Sequence, residues 1–252
     1  MSAVFFSKVI SEVAPVVDNI YLHVLGEPLW HPDFPELIEL CGAHRVRVNI
    51  TTNGDLLDTP NGRKLLHPTV KKINFSLHAQ RPEADLEKVL KFAQNAQVLN
   101  PGLNIDLRLW NGGDDNRFIL NKIASVFGIG HIPESSDRKC LKIADHIYLN
   151  FDRRFEWPKP GGSFSSNPVS GICYGLSTQF AVLVDGTVTI CCLDAEGHAA
   201  LGKLGEQPLT DILNSPRAIA IRQGWNRHLT VEPLCRDCDF RRRFDSENPK
   251  LH

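Results

Sequence analysis

Four stretches of this chain alternate so that one side is apolar and the other polar, and that pattern limits the fold more than any other feature. In Leu103–Leu109 the odd positions are Leu103, Ile105, Leu107 and Leu109, while Asn104, Asp106 and Arg108 share the opposite face. In Val46–Asn53, Val46, Val48, Ile50 and Thr52 form one face and Arg47, Asn49, Thr51 and Asn53 the other. Ile73–His78 sets Asn74, Ser76 and His78 on its polar side, and Ile20–Glu27 carries Tyr21, His23, Leu25 and Glu27 on one face. Between and after these strands lie helical patterns at Pro35–Cys41, Pro60–Leu66, Glu83–Val98 and Arg117–Phe127, and Asp145–Asn150 reads as a further strand. Strand, helix, strand, helix in one direction predicts right-handed crossovers and a parallel α/β sheet or barrel.

A strand covered by helices on both faces is apolar on both, and a filled barrel interior is mostly branched aliphatic. Strands that each keep a polar face predict a polar lumen that binds something, the alternative being the solvated face of an open sheet. The polar residues also gather at the carboxyl ends of the strands, where binding and catalysis are placed in such folds. They are Gly26-Glu27-Pro28, Thr51-Thr52-Asn53-Gly54, Ser76-Leu77-His78, and Arg108 with Asn111.

A loop rich in Gly, Pro and Ser, Pro158–Ser170, separates this region from a cysteine-rich tail and predicts domains at 1–157 and 158–252. The tail opens with a hairpin signal, Gln179–Val184, Asp185-Gly186, Thr187–Cys191, and continues to a short helix near Leu209–Asn214. Of seven cysteines, Cys41 and Cys140 stand apart, and Cys173, Cys191, Cys192, Cys235 and Cys238 crowd the last third. An odd count in a 252-residue chain, large enough to stand without staples, argues for a metal site over a disulfide framework.

Charge excludes other classes. Lys+Arg 28 against Asp+Glu 29 leaves a formal charge of −1, so no net field draws the chain to nucleic acid or anionic lipid. Apolar runs such as Phe180–Val184 span one strand, far short of the roughly 20 residues of a membrane helix. The N-terminus spaces Val4, Phe5, Val9, Ile10, Val13 and Val17 as one helix face around Lys8 and Glu12, which is not a signal-peptide pattern. A cytoplasmic protein with no membrane or nucleic-acid partner is expected. His31 and His67, each before a proline, read as turn residues; His23 and His78 point into the lumen; Trp30, Trp110 and Trp157 read as core or pocket walls.

Tyr21-Leu-His-Val-Leu-Gly-Glu-Pro-Leu, Asn49-Ile-Thr-Thr-Asn-Gly-Asp-Leu-Leu and Ile73-Asn-Phe-Ser-Leu-His together resemble strands of the radical S-adenosylmethionine (radical SAM) superfamily with a C-terminal SPASM-type domain. The resemblance implies a partial (β/α)6 barrel holding S-adenosylmethionine at its top. Gly26 and Glu27 match the motif that contacts the methionine amino group, Leu25 standing where the motif usually has its first glycine. Ser76 and Arg108 match positions that hold the carboxylate, and Thr51 and Asn53 line the ribose side. The family's radical chemistry uses a 4Fe–4S cluster on a CxxxCxxC triplet after the first strand, and these 252 residues contain no such triplet. The expectation is therefore a barrel without its first strand, unable alone to generate a 5′-deoxyadenosyl radical, with S-adenosylmethionine binding weak or absent.

Cys173, Gly186, Cys191 and Cys235-x-x-Cys238 follow the four-cysteine SPASM spacing, which implies an auxiliary 4Fe–4S cluster. A hairpin and a CxxC pair suit either an iron–sulfur cluster or zinc, so a non-catalytic binding protein stapled by a four-cysteine zinc site is the alternative. Cys191 and Cys192 exchange roles if the hairpin slips by one residue, Cys192 being otherwise a buried thiol on the far side of its strand. The family implies a peptide or protein substrate, and an exposed edge at Ile20–Leu25 leaves the chain open to self-association.

Overall fold

The computed structural model describes residues 1–77, 83–110, 116–133, 140–159 and 168–244. His78 and Asn111 lie outside the described residues, as does most of the loop from Pro158 to Ser170. The chain divides into two compact units, Ser2–Arg154 and Phe155–His252.

The first unit opens with α1 (Ala3–Val13), whose N-terminus is capped by the Ser2 hydroxyl accepting from Phe5 N at 3.3 Å. It buries Val9, Ile10 and Val13 as expected, but Phe6 is buried with them while Val4 of the expected face is exposed. There follow β1 (Asn19–Tyr21), a 3₁₀ turn at Pro28–Trp30, α2 (Phe34–Ala43), β2 (Arg47–Thr52), α3 (Pro60–Lys64) and β3 (Val70–Ser76). Then come α4 (Glu83–Leu99), β4 (Asn104–Trp110), α5 (Asn116–Phe127), β5 (Cys140–Ala144) and β6 (Ile147–Asp152). The sheet order is β1-β2-β3-β4-β6-β5, and every pairing is parallel except that of β5 with β6.

The two faces of this sheet differ as the alternation requires. Val48, Ile50, Ile73, Phe75, Ile105, Leu107, Leu109, Ile147 and Leu149 are fully buried. Helix α4 packs on that side, its Phe92 ring meeting Phe75 edge-on at 5.8 Å. The opposite face presents Asn49, Thr51, Lys72, Asn74, Ser76, Asn104, Asp106, Arg108, Tyr148 and Asn150, in register across four strands.

Two expectations change. Strand β1 is three residues long and ends at Tyr21, not Leu25, because the chain bends from residue 22 toward Gly26, which holds φ +85°. Its outer edge is accordingly a short template for another strand, shorter than the apolar edge expected. Strand β5 was not foreseen; it places Cys140 opposite Asn150 and Lys142 opposite Tyr148.

The second unit holds β7 (Val169–Ser170), β8 (Ala181–Val182), β9 (Thr187–Thr189), β10 (Ala200–Lys203), α6 (Leu209–Leu213), α7 (Pro216–Asn226), β11 (Leu229–Thr230) and α8 (Pro233–Arg236). Strands β10-β9-β8 form one antiparallel sheet and β11-β7 another. The hairpin turn is Leu183 to Gly186, with Gly186 N donating to Leu183 O at 3.0 Å and Gly186 at φ +92°. Asp185 accepts from the Thr187 N–H and hydroxyl at 3.0 and 2.9 Å, which holds its carboxyl low, at about 2. Leu176, Ile190, Ala199, Ala218, Ile221, Trp225 and Leu234 make the core, and the Trp225 indole N–H donates to Gly175 O at 2.9 Å. Among the described residues no helix is long and apolar enough to cross a membrane.

Adjacent residues of β4 should therefore respond oppositely to truncation. Leu107→Ala removes a fully buried side chain and should cost about 2–5 kcal/mol in urea unfolding. Arg108→Ala, which breaks a part-buried pair with Asp152 at 3.7 Å, should cost under about 1 kcal/mol.

Candidate functional site

The residues expected to bind a ligand collect at the carboxyl ends of β1 to β4. Glu27 follows the bend after β1 and caps the Pro28–Trp30 turn through Leu29 N at 3.1 Å. The same carboxylate accepts from Thr52 Oγ1 and Asn53 N, both at 2.7 Å. Three donors from this chain thus occupy the Glu27 side chain, which bolts the loop after β1 to the end of β2. What this loop offers a ligand is backbone. A Cβ built on Gly26 would meet nothing within 4 Å, so its peptide stands open to approach.

Asn53 is also engaged, its amide donating to Asp55 Oδ2 at 2.6 Å while its Oδ1 accepts from Asp55 N at 3.0 Å. The Thr51 hydroxyl accepts from Asn74 Nδ2 at 3.3 Å. Ser76 and Arg108 sit directly opposite each other on β3 and β4, both half-buried. Next to them are Asp152, 3.7 Å from the guanidinium, and His23. The His23 Nδ1 atom is sealed from solvent and has no hydrogen-bond partner among the described residues. Burial, and then the positive charge of Arg108, lower its pKa.

A hydroxyl on β3, a guanidinium on β4, and an exposed glycine peptide and a buried ring nitrogen after β1 are groups suited to a ligand bearing both a carboxylate and an amine. Deeper on the same face Lys72 pairs with Asp106, a residue 8% exposed, and Asn49 and Asn74 are equally buried. Lys72 and Tyr148 escaped notice in the sequence, although their alternation with buried Ile73 and Leu149 marks them.

In the second unit, Cys173, Cys191 and Cys235 pack against the hydrophobic core. Burial pushes the Cys191 thiol up to about 12, and Cys192, Cys173 and Cys238 add to the rise. Cys235 is raised by burial and then by Cys191, Cys173 and Cys238; Cys238 is raised by burial and by Cys173. Cys191 therefore lies near Cys173, Cys235 and Cys238, and the adjacent Cys192 lies near Cys173 and Cys191. Cys192 is exposed and not buried, because β9 ends at Thr189 and both residues lie in the turn beyond it, where strand alternation no longer applies. No three described His, Cys, Asp or Glu side chains are gathered tightly enough to hold a single metal ion. The four thiols, two of them on α8 and its C-terminal turn, are nonetheless the ligand type that iron–sulfur clusters use, and a cluster spans more space than one ion.

Cys41 is fully buried in α2, its thiol raised to about 12, and Cys140 is exposed on the first unit's sheet. His31 and His67 each accept a backbone N–H two residues on, as turn residues do. Trp30 is 72% exposed and walls nothing in the core.

His23 should titrate below the ordinary histidine value of about 6.5 in an NMR pH series. Arg108→Gln should raise it only part of the way, since burial is the larger cause. On acidification the unfolded chain takes up this proton first, so stability should fall as pH drops through about 6.5. His23→Phe should flatten that slope.

The family model described as SPASM, an iron–sulfur cluster-binding domain, matches residues 173–239. The fold is similar to the crystal structure of BtrN in complex with AdoMet and 2-DOIA, with a TM-score of 0.59 and 18% identity over 95% of this chain and 80% of that one. It is also similar to Streptococcus suis SuiB bound to precursor peptide SuiA, with a TM-score of 0.56 and 11% identity over 92% of this chain and 63% of that one. No curated protein matches in sequence. With a mainly parallel six-stranded sheet polar at its strand ends, the chain shares the fold of BtrN and SuiB, and its residues 173–239 match the SPASM iron–sulfur cluster-binding domain.

Proposed function

We propose that the C-terminal unit holds an auxiliary 4Fe–4S cluster through Cys173, Cys191, Cys235 and Cys238, and that the half-barrel binds S-adenosylmethionine. The observation that carries this reading is the mutual proximity of those four thiols within the segment matching the SPASM family. No disulfide links any of the seven cysteines, which suits a reducing, cytoplasmic setting. When bound, such a cluster supplies one-electron transfer or an iron site for substrate.

On the half-barrel, Arg108 and Ser76 hold the methionine carboxylate. The Gly26–Glu27 backbone holds the amino group, and Thr51 and Asn53 flank the ribose. Glu27 keeps its carboxylate for Thr52, Asn53 and Leu29, and so acts by fixing the loop. His23, whose Nδ1 has no partner among the described residues, adds a hydrogen-bonding atom next to the carboxylate site. The substrate we propose is a peptide or protein, which the SuiB complex with its precursor peptide supports and the BtrN ligand, 2-DOIA, does not. In a complete radical SAM protein a cluster touching the sulfonium supplies the electron for reductive cleavage; these residues carry no triplet to hold one.

Anaerobic reconstitution should load about four irons per chain and give absorbance near about 400 nm. Alanine at Cys173, Cys191, Cys235 or Cys238 should abolish loading, while Cys41→Ala and Cys140→Ala leave it intact. A colourless protein with one zinc would instead support the metal-stapled binding protein, and full iron surviving Cys235→Ala would overturn the ligand set.

Incubated with S-adenosylmethionine and a strong reductant, this chain should release no 5′-deoxyadenosine above a no-protein control. Calorimetry should detect only weak binding, lost in Arg108→Ala. Turnover would refute the inactive assignment.

A further inference from the structure

Arg241 is 3% exposed, the one lysine or arginine among the described residues that is fully buried. It begins the 3₁₀ turn Arg241–Phe244, three residues after Cys238. Its Nε donates to the Cys235 carbonyl at 3.1 Å, and its backbone N–H, with that of Phe240, bonds the Cys238 thiol. A positive charge and two N–H donors are thereby set against two of the four cysteines. Arg217 does different work at the same centre. It grips Glu232 in a bidentate pair at 2.9 and 3.1 Å and so fixes the residue just before α8.

We infer that Arg241 raises the reduction potential of a cluster held by Cys173, Cys191, Cys235 and Cys238, an inference that rests on the iron–sulfur reading above. Reduction adds one electron, here supplied by a mediated electrode or dithionite, and breaks no bond. The added negative charge is spread over the cluster and its cysteine sulfurs. A guanidinium fixed beside them in a poorly solvated site stabilises the reduced form more than the oxidised one. Hydrogen bonds to a ligand sulfur act in the same direction. Arg242, next in sequence, is exposed, and solvent screens its charge. It serves as the matched control.

The test is an EPR-monitored potentiometric titration of the reconstituted full chain, after iron has been counted. At the wild-type midpoint, Arg241→Gln should lower the reduced-to-oxidised ratio by about tenfold or more. Arg241→Lys, which keeps the charge, should stay within about threefold of wild type, and Arg242→Gln within about twofold. An unmoved midpoint in iron-loaded Arg241→Gln overturns the inference, as does an equal shift in Arg242→Gln. Should Arg241→Gln fail to hold iron, the lysine variant decides: a wild-type midpoint supports the charge, and a tenfold fall overturns it. Loss of iron from both variants assigns Arg241 to folding and overturns the inference. A wild-type chain that takes zinc and no iron fails at the iron count, before any potential is read, and so overturns the cluster reading separately.

Discussion

The N-terminal unit depends on an asymmetry of solvation across one sheet. Its strands bury Ile50, Phe75, Leu107 and Leu149 completely on the helix side. That burial, at about 25 cal/mol per Å² of apolar surface, drives the layer together. The opposite face keeps Asn49, Asn74 and Asp106 nearly buried as well, and buried polar groups are tolerated only with partners. Asn74 finds Thr51 and the Ile50 carbonyl, and Asp106 finds Lys72, so the deep part of the face is supported by cross-strand contacts. Toward the strand ends His23 Nδ1 has no partner among the described residues. A ligand there would meet groups already held in place and not yet spent.

Glu27 shows how such a site is kept rigid. A motif glutamate at a strand end invites assignment as a ligand contact, but its carboxylate is filled by Leu29, Thr52 and Asn53. Its side chain organises the loop, and the loop's backbone remains for binding. The C-terminal unit uses the same economy of contacts around its thiols. Arg217 and Glu232 fix the start of α8, Trp225 pins Gly175 near Cys173, and Arg241 ties the chain after Cys238 back to Cys235. Buried thiols with raised pKa values are protonated at neutral pH, so a metal entering there must displace protons.

Much of this was legible residue by residue. The period-two pattern of Leu103–Leu109 announced β4 and both of its faces, since a parallel strand cannot turn one side chain without turning all. The CxxC at Cys235 and the Gly186 turn marked the metal unit for an equally local reason, namely spacing and the need for a positive φ. Strand β5 and helix α7 were not seen. Cys140–Ala144 is held by its pairing with β6, and α7 shows its apolar stripe of Ala218, Ile221 and Trp225 only once the core it faces is known.

The sequence by itself determined the order of β1 to β4 and of the helices between them, the polar strand ends and the set of cysteines, because these follow from periodicity and composition along the chain. The tertiary structure alone decided how the groups at those ends are used. It showed that the Glu27 carboxylate is held by Leu29, Thr52 and Asn53, that Cys191 is half-buried and Cys192 exposed, and that Arg241 is buried beside Cys235 and Cys238 where Arg242 is exposed. Each of these turns on distance and solvent access between residues far apart in the chain or adjacent but oppositely directed, and neither quantity is written in a linear pattern.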